Sequence, residues 1–365
     1  MSQSIPSSVR ISIDGKPAGA DLLRSLRSLE VEGSVGQKSM FRLKFVMGME
    51  PSGDWMSTAE RTFTPMVPIK VDATIDKVSR RLINGYLTQF KMNFQSDPCQ
   101  SELELVGMDA LEKLERNRGG GSFSKMPLRS IVAKVLDRVK IAAPTSGVPD
   151  TGAPNPNRGQ PAQPQNDLEF LRTLAEENGC DLSVEPKGDT DQGHFEPLRV
   201  DRADPIPTPL VVGQDPASCV RNATFYYDLI GPTVVEASMV DAQGKATPGP
   251  IRSELRSLLS DKDKALLGPP GFEKVQQLQR HGAETRAELK RRCDAELDKL
   301  SWLVIGRGEL DTAAYRDLLA PRRRVEVRGA SGSFNGTYLV WKVAHQFTRD
   351  LHCQKFELRR KLGVR

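Results

Sequence analysis

In the first third of this chain, apolar residues recur at every second position, in short runs that each stop at Gly, Asp, Asn or Pro. The stretches VRISIDG, SLEVEG, MFRLKFVM, VPIKVDATID, RLINGYLTQFKMNF and SELELVGMD, spread over residues 9–117, all read this way. A period of two sends alternate side chains to opposite faces, so each run predicts a half-buried strand. Several such strands within about a hundred residues predict a small barrel or sandwich. Asn84-Gly85 fits either a tight turn or a bend inside a barrel strand.

The period then changes. In MPLRSIVAKVLDRVKI, Leu128, Ile131, Val132, Val135, Leu136 and Val139 form one helical stripe, with Pro127 suited to the first turn. Residues 142–165 hold six prolines and three glycines, a composition that builds no packed core and predicts a surface excursion. Next comes NDLEFLRTLAEENGC, residues 166–180, which predicts a short helix. Asn166 caps it, Glu169 is placed to reach back to the cap, Leu168, Leu171, Leu174 and Ala175 share a face, and Gly179 stops it. CDLSVEP and HFEPLRVDRAD follow as a strand pair.

Strands return between 210 and 250 in PLVVG, VRNATFYYDLIG and TVVEASMVDAQG. Residues 272–300 read as a long charged helix, with Val275, Leu278, Leu289, Leu297 and Leu300 as its sparse apolar positions and no heptad repeat. The tail from Arg322 reads as a three-stranded antiparallel unit whose last turn falls near Thr348–Asp350. The chain is thus β-rich α+β in three units: residues 1–120, a helical insertion over 121–205, and residues 206–365. At 365 residues it has length for two or three domains.

No catalytic signature accompanies this framework. GSVGQKS, residues 33–39, has too short a spacing for a phosphate loop and reads as a polar turn between strands. His345, His352 and Cys353 are soft ligands near one hairpin, but no fourth ligand is in view and His352 is expected on the opposite face, leaving one histidine buried and one in solvent. RRRVEV, residues 322–327, lacks the interleaved aromatics of a nucleic-acid strip and reads as solvated arginines leading into a strand, or as a surface facing an acidic partner. The excess of 52 Lys and Arg over 47 Asp and Glu is mild and selects no polyanionic partner. The five cysteines, Cys99, Cys180, Cys219, Cys293 and Cys353, are widely spaced without CxxC and read as free thiols of a reducing compartment. Neither a secretory signal nor a membrane-spanning apolar run is visible, so synthesis in the cytoplasm is expected.

Three places carry a family resemblance. Gln165, Asn166, Asp167, Phe170, Leu171, Leu174, Ala175, Glu176 and Gly179 match a signature of Gln, a small or polar residue and Asp before a Phe-Leu helix. Upstream, Gly85, Gly107, Asp109 and Leu114 fit a strand pair with a G-x-D-x-x-x-x-L exit. Near the end, Gly336, Tyr338, Val340, Val343 and His345 precede the last turn. In that order the chain resembles the hub proteins of contractile injection machines: the late-control-D family of phage tails, the hub portion of VgrG-type spike proteins, and the hubs of phage-like extracellular injection particles. The Pro-rich excursion is longer than such proteins usually need, and VgrG-type proteins continue into an oligosaccharide-binding-like domain and a β-helical needle, so the resemblance is to the hub portion alone and implies a separate spike protein.

The resemblance implies two small β-barrels flanking the helical insertion. It also implies a homotrimer whose six barrels form a quasi-six-fold ring towards the inner tube while staying three-fold towards a separately encoded spike. The implied partners are therefore a second and third copy, that spike, the tube protein and other baseplate components within a tail or injection particle. Nucleic acid, membrane insertion, cofactor, metal and catalytic residues are not part of this reading. Leu128, Ile131, Val135, Phe170 and Leu174 are its candidate packing and interface residues, either partly facing a neighbouring chain or wholly internal. Rival readings are a tail-associated cell-wall hydrolase, a carbohydrate- or receptor-binding β-protein, for which 6% aromatic content is low, and, most weakly, a nucleic-acid module.

Overall fold

The computed structural model describes residues 7–47, 63–97, 100–120, 123, 126–144, 146–149, 166–213, 218–239, 249–278 and 285–363. Most of the Pro-rich stretch, together with Gln165 and Cys99, lies outside them. The alternating runs form β1 (Ser8–Ile13), β2 (Lys16–Pro17), β3 (Leu26–Ser34), β4 (Met40–Val46), β5 (Pro68–Ile75), β6 (Val78–Asn93) and β7 (Glu102–Met108). Ile69, Val71, Ala73 and Ile75 of β5 and Phe41, Leu43 and Phe45 of β4 point into one core. Between them Arg42 on β4 faces out and pairs with Glu30 and Glu104. A one-residue slip would reverse every one of these placements, so the pattern sets the register. GSVGQKS is the β3–β4 connection, as its composition predicts.

Asn84-Gly85 lies inside β6 and makes no turn. A Cβ on Gly85 would stand 2.5 Å from the Phe41 ring, and one on Gly107, directly opposite Phe41 on β7, would stand 2.3 Å from it. Two glycines leave room for one aromatic ring that crosses the sheet face.

Beyond α1 (Leu111–Arg116), two helices and a hairpin fall within residues 121–205: α2 (Leu128–Asp137), α3 (Asp167–Glu177), then β8 (Asp181–Lys187) and β9 (Thr190–Glu196). The second strand of that hairpin begins earlier and ends sooner than HFEPLRVDRAD suggests, because it pairs residue for residue with β8. At the end of α3, Gly179 takes φ +64°, and a Cβ there would meet Ala295 at 2.6 Å. The glycine therefore serves both the helix stop and a close helix contact.

The remaining strands are β10 (Leu210–Val211), β11 (Val220–Tyr227), β12 (Val234–Ala237), β13 (Ile251–Glu254), β14 (Val275–Gln277), β15 (Val304–Asp311), β16 (Arg324–Arg328), β17 (Gly336–Thr348) and β18 (His352–Arg360). The charged helix is shorter than residues 272–300: α4 spans Arg286–Leu300. Val275–Gln277 instead pair in parallel with β12, so their backbone groups are committed to a sheet, and Thr285 starts the helix by accepting from the Glu288 N–H at 3.1 Å. Leu289 and Leu297 are buried on α4, as is Cys293.

One 13-stranded sheet runs β11-β15-β18-β17-β3-β4-β7-β6-β5-β1-β2, with β10 and β16 branching from β17; β13-β12-β14 and β8-β9 are separate. Strand β17 joins the two halves: its first part pairs with β16 and its second, Lys342–Thr348, with β3. No ladder links β11 to β2 among the described residues, so the sheet path is open at both ends. Each half keeps its own core, and the insertion has a third.

Candidate assembly site: the helical insertion and its anchors

The five stripe residues all lie in the insertion's core. Leu128, Ile131 and Val135 from α2 meet Phe170 and Leu174 from α3 in one buried cluster with Leu111, Leu114 and Phe195, and the most exposed of the five, Leu174, shows 7% of its surface. Phe170 stacks on Phe123 with ring centres 5.1 Å apart and planes 16° apart. At the head of α3, the Asn166 side chain accepts from the Glu169 N–H at 2.9 Å, the cap predicted from the sequence.

Asp167 has a role that sequence reasoning assigned only as part of a signature. Its carboxylate is fully buried, accepting from Arg138 at the end of α2 at 2.7 Å and from the Asn117 side chain at 2.8 Å. Its own N–H donates to the Asn117 carbonyl at 3.1 Å. The Arg138 guanidinium also lies 5.6 Å from the Phe123 ring centre. One acidic residue thus ties the start of α3 to the end of α2 and to the segment leaving α1.

The hairpin β8–β9 is pinned on two sides. Towards the first half, Asn84 donates to Asp191 and to the Thr190 carbonyl, both at 3.1 Å, and Arg81 donates to the Gly188 carbonyl at 2.9 Å. Towards the second half, Arg322 pairs with Asp181 and, at 2.8 Å, with Glu196, while Arg323 pairs with Glu185 and Asp204. These two arginines are therefore an internal clasp, not the solvated run expected from RRRVEV. Four carboxylates from residues 181–204 claim them, and that pairing is invisible in a local composition. His194 lies 3.3 Å from Glu185 and 3.6 Å from Glu196. Burial would raise the Glu185 pKa, but His194 and Arg323 outweigh it and hold the carboxyl down at about 2.

Asp109, the acidic residue of the G-x-D exit, accepts from the N–H groups of Ser39 at 2.6 Å and Leu111 at 3.0 Å, linking the β3–β4 turn to α1. Burial pushes its carboxyl up to about 7 against those two hydrogen bonds.

Both histidines of the last hairpin are buried, which corrects the expectation of one in solvent. His352 pairs with Phe347, two residues beyond His345, so both imidazoles share a face and approach to 3.3 Å, whereas Cys353 pairs with Gln346 on the other face. His345 Nε2 lies 3.0 Å from the Leu319 carbonyl, and its cross-strand partner Gln354 accepts from the Leu319 N–H at 2.8 Å. The pair clamps both backbone groups of Leu319 to the sheet. Burial lowers the His345 pKa to about 4 and that of His352 to about 2. Among the described residues no three His, Cys, Asp or Glu side chains gather as a metal site.

No protein-family model matches the chain, and no curated protein matches it by sequence. Solved structures do match its fold. The prophage MuSo2 43 kDa tail protein from Shewanella oneidensis aligns over 97% of this chain and 98% of its own at 14% identity, with a TM-score of 0.69. A tail protein from Neisseria meningitidis MC58 aligns over 97% and 96% at 12% identity, with a TM-score of 0.66. The E. coli c3393 protein, a component of the type VI secretion system structurally similar to the T4 bacteriophage tail proteins gp27 and gp5, aligns over 97% and 80% at 14% identity, with a TM-score of 0.57. The chain therefore has the β-rich fold of phage-tail and type VI secretion proteins.

Proposed function

We propose that the chain is the hub of a contractile tail-like injection system, a trimer that joins a six-fold inner tube to a three-fold spike. The observation that carries this reading is the end-to-end match to phage-tail proteins, which spans both β-rich halves and the insertion between them. Two halves with separate cores sharing β17 suit a chain that offers two similar bodies to a tube, and the units 1–120, 121–205 and 206–365 are the proposed domains. The insertion, with its private core and pinned hairpin, makes the two faces of such a ring unlike each other. In this role Leu128, Ile131, Val135, Phe170 and Leu174 keep the insertion rigid, while neighbouring copies, a separately encoded spike, the tube protein and other baseplate components meet its outer surface.

The test is to tag the chain in its native host, isolate the high-molecular-weight fraction, and combine electron microscopy with mass spectrometry of its companions. Sheathed particles holding three copies beside a needle-like spike and a tube protein support the proposal. A soluble chain without such companions overturns it, and peptidoglycan turnover by that soluble chain would favour a hydrolase.

A further inference from the structure

Where β6, the β8–β9 hairpin and residues 319–323 meet, they line a half-open cavity of about 380 Å³. Four arginines line it. Arg81 pairs with Asp72, Arg322 with Asp181 and Glu196, and Arg323 with Glu185 and Asp204. The side chain of the fourth, Arg80, forms no hydrogen bond or ion pair among the described residues. It stands opposite Ala73, a residue of the first core, so its side chain leaves the sheet on the apolar face. Asp317 and Glu185 attract it from a distance while Arg323 opposes it, and burial lowers its pKa. Ser183 lines the same cavity, and its hydroxyl is buried and without a partner.

A partly buried guanidinium fork on β6 and an orphan hydroxyl on β8, both on residues lining the cavity, are donors awaiting an acceptor. We propose that this cavity binds a small oxyanion group, a carboxylate or phosphate, held by Arg80 and Ser183. Its volume lies within the range of about 300–1,000 Å³ usual for ligand sites, room for a carboxylate side chain or a phosphate ion. The group therefore comes either from an acidic side chain of a partner polypeptide or from a free anion.

Calorimetric titration of the full chain at constant ionic strength tests this with two probes, N-acetylglutamate methylamide and inorganic phosphate. At least one probe is expected to bind the unmodified chain. Binding should weaken at least about tenfold in Arg80→Gln, the loss of roughly one charge-assisted contact. A smaller loss is expected in Ser183→Ala and in Arg80→Lys, which keeps the charge without the fork. Arg349→Gln, an exposed arginine outside the cavity, should bind as the parent does. Binding of the capped glutamate alone assigns the site to a partner's side chain, and binding of phosphate alone assigns it to a free anion. Absence of binding by either probe at about 10 mM, or binding unchanged in both Arg80→Gln and Ser183→Ala, overturns the proposal.

Discussion

Replacing Phe170 by alanine separates a ring that holds the insertion together from one that faces another chain. The ring is 1% exposed, stacks on Phe123 at 5.1 Å, and shares a cluster with residues of α1, α2 and β9. Emptying such a site costs about 3–5 kcal/mol, since the transfer energy is lost and the walls close only in part. The stacked pair contributes roughly 0.5–1.5 kcal/mol of that beyond its buried area. Because the insertion has its own core, the loss should appear as local opening before the whole chain unfolds. Hydrogen exchange on the isolated chain reads it directly: amides of Leu128–Asp137 and Asp167–Glu177 should lose roughly two to four orders of magnitude of protection. Phe170→Leu, nearer in volume, should cost under about 1.5 kcal/mol. If Phe170→Ala leaves protection within about tenfold of the parent yet blocks particle assembly, the ring belongs to an interface and the reasoning fails.

Three further outcomes are expected. Arg322→Ala leaves the largely buried Asp181 carboxylate without its cation and should cost about 3–5 kcal/mol, read by denaturant unfolding and by faster exchange in residues 181–196; an unchanged hairpin would contradict the clasp. The depressed His345 pKa means the unfolded chain binds a proton that the folded chain refuses, so this residue's contribution is complete above its ordinary pKa near 6.5 and is lost as pH falls towards about 4. His345→Gln should therefore lower the dependence of stability on pH between about 5 and 6 by roughly 1.4 kcal/mol per pH unit relative to the parent, measured by urea unfolding at each pH. Gly107→Ala drives a Cβ against the Phe41 ring and should cost about 1–3 kcal/mol in thermal or denaturant unfolding, whereas Gly120→Ala, with open space around it, should cost far less.

Features written in local spacing were legible. The alternation in β3, β4 and β5, the cap at Asn166, the stop at Gly179 and the stripe of α2 all arise from contacts within a few residues, so period and cap chemistry suffice to read them. The same local view overran at α4, since Val275 and Leu278 look helical until β12 supplies a strand partner for the segment that holds them. It also misplaced His352, because a hairpin's facing depends on which residues pair across the turn, and one residue of shift reverses the side.

The rest was decided by pairings between distant parts of the chain. Asn84 reaches Asp191, Arg322 reaches Asp181, and β17 finds β3 near the opposite end of the sequence. None of these partners is marked by composition, because a carboxylate in a strand reads alike whether water or a buried arginine satisfies it. By itself the sequence determined the alternating strands of the first half, the helices at 128–137 and 167–177, and which of their faces are apolar. Only the tertiary structure decided that one strand serves both halves, that the basic run is an internal clasp, and that Arg80 is left facing a cavity, since each depends on which desolvated charges find one another once the cores have closed.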